Sequence, residues 1–212
     1  MNNINTYKKT AINSLKGNWS EAILVCFIVL IIDAFLTATK VGALVTVLIM
    51  GPLEVALISY FIKLINNKNP KVRNMFDDFF PNLFTNFFTS LLLSLYVVLW
   101  ALLFVIPGII KSFSYAMTMF IKAKKPDMDA NKAITLSRNM MNGNKWKLFC
   151  LSLSFMGWIL LSIITLGVGF VFLTPYMNAT KIAFFEDIYN NYISNNSKDV
   201  HIEVEKPDDN YN

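Results

Sequence analysis

The stretch Leu99–Phe149 limits what this chain can fold into more than any other. It reads Trp100-Ala-Leu-Leu-Phe-Val-Ile-Pro107-Gly108-Ile-Ile-Lys111 and continues through Ser112 to Ile121. It then turns basic, with Lys122, Lys124, Lys125, Lys132, Arg138, Lys145 and Lys147 ahead of a further apolar run. Pro-Gly is a turn signal, and an amphipathic helix of a soluble domain does not place it between two flanks that are apolar all round. A bilayer is the simplest solvent that accepts both flanks. Composition agrees: the 212 residues are 55% hydrophobic and 16% charged, too little polar side chain to clothe one soluble core.

The length suits one compact domain, and the sequence predicts an all-α polytopic membrane protein with about six transmembrane helices in three hairpins. Residues 1–19 form an amphipathic leader: Ile4, Tyr7, Ala11, Ile12, Leu15 and Trp19 share a helical face, with Lys8, Lys9 and Lys16 elsewhere on the cylinder. That pattern suits a helix lying on an anionic membrane surface, although lysines that only set topology would give it too. The membrane domain occupies 20–189. Its spans are Ala22–Leu36, Val41–Ile65 (with Gly51-Pro52 and Glu54), Leu83–Val105, Ile109–Ala123, Leu148–Thr165 and Leu166–Ile188 (with Pro175). Pro107-Gly108 forms the break between the third and fourth. The fourth, about 22 Å long at helical rise, is short enough to be re-entrant or interfacial instead. Residues 66–78 and the basic loop 122–147 each hold a short interfacial helix, the second capped by Asp127 or Asp129 with Ala130, Ala133, Ile134, Ser137 and Met141 on one face. The acidic, asparagine-rich tail 190–212 reads as disordered.

Charge then orients the spans. With both ends cytosolic, all but two (Lys40 and Lys111) of the nineteen lysines and arginines lie inside. The sequence therefore predicts a multi-pass protein of the cell membrane. The net charge of +5 belongs to these borders, and no nucleic-acid partner is expected. No cleavable signal sequence is evident. Cys26 and Cys150 read as small apolar filler, with a disulfide or metal pair as the alternative, and the single histidine, His201, sits in the tail. Zinc hydrolysis and Ser-His or Cys-His chemistry lack their parts, no span holds paired carboxylates, and no cofactor is expected.

A weak repeat runs through the chain: interfacial helix, Gly or Pro break, aromatic, span, second span marked by proline. Leu15-Lys16-Gly17-Asn18-Trp19 echoes Met141-Asn142-Gly143-Asn144-Lys145-Trp146, and Pro52, Pro107 and Pro175 each precede a charged cytosolic border. Parallel repeats of this kind occur in some transporters, and similar borders recur in unrelated membrane helices.

Several motifs carry a resemblance. They are Gly51-Pro52-Leu53-Glu54, Ile106-Pro107-Gly108-Ile109-Ile110-Lys111, Ser114-Tyr115-Ala116-Met117-Thr118 and Ser137-Arg138, followed by Gly143-x-Lys145-Trp146-x-Leu148-Phe149, Thr165-Leu166-Gly167-x-Gly169 and Phe184-Phe185-Glu186-Asp187. In order and spacing the chain resembles, from about Lys8 to Ile188, the integral-membrane family catalogued as domain of unknown function 975, found mostly in Gram-positive bacteria. More distantly, it is similar to the membrane domain attached to some glycerophosphodiester phosphodiesterases. The resemblance implies fold and location, and no activity or catalytic residue.

The candidate sites follow from charge in grease. Glu54, nine residues before Lys63 and so roughly 13 Å inside the cytosolic border, must be protonated, paired or facing a cavity. It is a proton or cation site beside the Pro52 kink, or a neutral or hydrogen-bonded glutamate that locks packing. Asp33 and Lys111, both near the outer face, can pair and tie the first hairpin to the second, or border a substrate mouth. Lys181 snorkels to the inner border. Pro52, Pro107, Gly108 and Pro175 are hinge candidates. Lys122, Lys124, Lys125, Arg138, Lys145 and Lys147 form a basic face toward lipid or a partner. The expected function is non-enzymatic: contact with membrane lipid, another membrane protein or a second copy of itself. The alternative is a small transporter or exporter component, giving resistance or immunity to an amphiphilic compound or peptide.

Overall fold

The computed structural model describes residues 3–38, 43–103 and 105–204, all helices and connections with no strand among them. Lys40, Phe104 and the tail from 205 lie outside the described residues. The described residues form eleven helices in order: α1 (Ile4–Leu15), α2 (Trp19–Ala38), α3 (Ala43–Ile65), α4 (Val72–Phe79), α5 (Leu83–Leu103), α6 (Val105–Tyr115), α7 (Thr118–Lys124), α8 (Ala130–Met140), α9 (Lys145–Leu153), α10 (Met156–Ile164) and α11 (Val168–Val204). Among the described residues, four stretches are long and apolar enough to cross a membrane: Trp19–Ala38, Leu48–Ile65, Leu83–Trp100 and Lys145–Ile164. Their outer faces carry Leu30, Phe35, Leu95, Leu102, Leu160 and Ile164 exposed, the apolar belt expected of a chain solvated by lipid.

The expected boundaries shift in four places. Pro107 lies inside the first turn of α6, where its missing N–H costs nothing, so the chain turns before Pro107-Gly108. The fourth segment is two helices, broken at Ala116-Met117. The fifth is split at Ser154-Phe155 into α9 and α10. At the far end, α11 continues to Val204 through residues where disorder is expected.

Burial separates the helices into two groups. The Leu48–Ile65 window of α3 is 44% buried, against 17–22% for the other three apolar stretches, so α3 is central. Three inner runs share one register. Val55, Ala56, Ser59, Tyr60 and Phe61 on α3 are buried, as are Ser114, Tyr115, Thr118, Met119 and Phe120 across α6–α7, and Ala179, Thr180, Ala183, Phe184 and Phe185 on α11. The outer helices repeat likewise, with the third and sixth residues after each start buried: Ala22 and Val25, Asn86 and Thr89, Leu148 and Leu151.

The same register reaches the short helices. Ala11, Met75 and Ser137 are each fully buried. Gly17 and Gly143 take φ of +84° and +76°, a region costly for other residues, to end α1 and α8. The Asn18 and Asn144 amides that follow donate to the carbonyls of Ser14 and Met140. Packing follows the same order: α4 lies on α3, α8 on α7, and α1 on α11, while α3 meets α5, α6 meets α9 and α11 meets α2. A recurrence that is faint in residue identity is distinct in burial.

Candidate functional site

One end of the bundle is polar. There the leader is docked rather than free: Tyr7, Ala11, Ser14 and Leu15 are buried against α11 and α3. The Tyr7 hydroxyl donates to Asp187 Oδ2 at 2.7 Å, and its ring meets Phe184 edge-on. Lys8 donates to the Ser154 carbonyl at 3.3 Å, in the turn that separates α9 from α10, with its ammonium 4.6 Å from the Phe155 ring. Protein, not lipid, takes up most of the amphipathic face, and of its apolar residues Ile12 is left exposed.

Beside it, Glu186 is nearly buried. Lys124 Nζ lies 2.8 Å from its Oε2, and the Asn66 amide donates to Oε1 at 3.0 Å. This joins the ends of α3 and α7 to the middle of α11. A buried carboxylate stays charged only with such partners. Lys122 is fully buried and donates to the carbonyls of Pro126 and Met128, closing the turn toward α8. Asp129, not Asp127, caps α8, accepting from the Asn131 and Lys132 amides. Ser137 then pins α8 to the α6–α7 break, donating to the Ser114 carbonyl at 3.0 Å and accepting from the Met117 N–H at 3.1 Å. The Asn86 amide oxygen, buried without a partner, lies on a cavity of about 90 Å3 that Ser59, Asp77 and Lys122 also line, with room for ordered water.

Two members therefore leave the expected basic face, Lys122 into the interior and Lys124 into its pair with Glu186. Lys125, Arg138 and Lys147 stay exposed and Lys145 half-exposed. Asp33 and Lys111 form no ion pair; Asp33 is exposed, and Lys111 sits 4.3 Å over the Trp100 ring. The Glu186–Lys124 pair was missed because each residue alone reads as a border charge. Its trace was Phe184-Phe185-Glu186-Asp187, two acids directly behind buried aromatics.

Glu54 lies elsewhere. It is exposed on α3, in a groove of about 450 Å3 between α3 and α5 that Val29 of α2 and Met119 of α7 complete. α3 and α5 approach closely beside it: a Cβ on Gly51 would stand 1.8 Å from Ser90 Oγ. Pro52 and Pro175 both lie inside continuous helices and are buried. Among the described residues, no three His, Cys, Asp or Glu side chains gather as a metal site.

A family model described as protein of unknown function (DUF975) matches residues 1–111 and 102–192. The chain belongs to the DUF975 family. No curated protein and no solved structure matches this DUF975 chain, and the distant similarity to phosphodiesterase membrane domains is not shown.

Proposed function

We propose that this DUF975 protein is a non-enzymatic, multi-pass membrane module that acts through its polar end, by contact with anionic lipid headgroups and membrane partners. In this reading the chain makes six spans as three repeated units, each a short helix followed by two spans, with both termini cytosolic. The inner spans are α3, α6–α7 and α11, and the outer ones α2, α5 and α9–α10. The shared burial register and cyclic packing support it.

The observation that carries the functional reading is the division of labour among the basic residues. Lys122 and Lys124 are taken up by structure, whereas Lys16, Lys71, Arg73, Lys125, Lys132 and Arg138 remain exposed on the polar end. Near an anionic leaflet each such residue attracts lipid by about 1 kcal/mol. The alternative, a transporter or exporter component, draws its support from the groove beside Glu54.

The test is the thermal midpoint of the detergent-solubilised protein as phosphatidylglycerol is titrated in, since a ligand that binds the folded state stabilises it. A rise with phosphatidylglycerol but not phosphatidylcholine is expected. Most of that rise should vanish when Lys125, Lys132 and Arg138 are all changed to Gln. An unchanged rise in the triple variant overturns the reading.

A further inference from the structure

We infer that the groove at Glu54 is a binding site for a lipophilic organic cation, with the Glu54 carboxylate as its counter-ion. This stands independently of the lipid-contact reading, because the groove lies on a different part of the molecule from the exposed lysines.

The fold does not require a carboxylate there. Seven residues before the buried Phe61, Phe120 and Phe185 stand Glu54, Phe113 and Asn178, three unlike side chains at one register position. Phe113 packs on the Phe149 ring, and the Asn178 amide donates to Cys26 Sγ. Both of these side chains bridge to an outer helix. Glu54 makes no hydrogen bond or ion pair with any described residue and is exposed, so neither a bonded nor a packed-in glutamate describes it.

The surroundings select the ligand. Among the described residues, no other charged side chain lines the groove. The two hydroxyls nearest to it are spent on their own helix, Ser90 donating to the Asn86 carbonyl at 2.7 Å and Ser94 to the Leu91 carbonyl at 2.9 Å. A calcium or magnesium ion would need six or more oxygen ligands and a zinc ion three or four side-chain ligands, and one carboxylate supplies neither. An organic cation with a large apolar body holds its water weakly and can lay that body against Met50, Leu57, Leu93 and Met119. At about 450 Å3 the groove falls within the range of small-molecule sites. The groove lies between α3 and α5, both long and apolar enough to cross a membrane, so such a ligand would enter from the lipid.

The test uses two probes of the same shape and opposite charge, tetraphenylphosphonium and tetraphenylborate, titrated into the full chain in neutral-lipid nanodiscs at pH 8. Saturable binding of the phosphonium, well above that of the borate, is expected. Glu54→Gln should weaken phosphonium binding by roughly tenfold or more while leaving the borate unchanged. Leu93→Trp, which fills the groove and keeps the charge, should weaken the phosphonium as well, and it decides the matter if Glu54→Gln fails to fold. The proposal is overturned if the wild-type protein does not bind the phosphonium saturably or prefers the borate. It is also overturned if phosphonium affinity survives Glu54→Gln, or survives Leu93→Trp.

Discussion

At the scale of single residues, what matters is where each charge ends up. Glu186 is held inside the protein by Lys124 at 2.8 Å and by the Asn66 amide. Removing one partner of a buried pair costs more than removing both, because the survivor keeps its desolvation penalty. Lys124→Met should therefore lower stability by about 1–3 kcal/mol, less than for a fully buried pair because Lys124 keeps some exposure. Lys124→Met combined with Glu186→Leu should recover at least half of that loss. Thermal midpoints of the two variants in one detergent check this, and a double variant worse than the single would refute the coupling. Ser137 serves both sides of a helix break at once. Ser137→Ala leaves the Met117 N–H and the Ser114 carbonyl unsatisfied, a loss of about 1–3 kcal/mol readable in the same measurement.

Whole elements test the docking of α1. An amphipathic helix finds its apolar partner in lipid or in protein, and its own pattern is the same in both cases. In a background of Cys26→Ala and Cys150→Ala, a cysteine at Ala11 should react with a water-soluble maleimide at least roughly tenfold more slowly than one at Lys16. Equal rates would place α1 free on the membrane surface. The α3–α5 contact tests close packing. Because a Cβ on Gly51 would meet Ser90, Gly51→Val should force the helices apart and cost about 1–3 kcal/mol. The altered spacing should also disturb the Glu54 groove.

Orientation and internal repetition belong to the whole molecule. Six spans with both ends cytosolic require that cysteines at Lys68 and Asn142, in the same cysteine-free background, be labelled from the cytosolic side. Cysteines at Thr37 and Leu166 should be labelled from the other side. Labelling of Leu166 from the cytosol would remove the last two spans. In the six-span reading, a repeated unit accounts for the recurrence of Pro52, Pro107 and Pro175 and of the short helices α1, α4 and α8. Burial constrains size and polarity at each register position, so Ala11, Met75 and Ser137 can serve one role with three side chains.

The all-α class and the presence of helices long and apolar enough to cross a membrane were legible in the sequence, because hydropathy sums over neighbours along one helix and needs no knowledge of the others. The cap of α8 was narrowed to two aspartates, and its buried face was read from period alone. What the tertiary structure decided was every question of partnership. It sent Lys122 to two carbonyls and Lys124 to Glu186, left Asp33 and Lys111 apart, buried the leader against α11, and left Glu54 facing a groove with no protein partner. These pairings join residues far apart in the chain, and a charge near a helix end looks the same in sequence whether it meets water, lipid or another charge. Only the packing of helices brings one candidate partner within 3 Å and takes the others away.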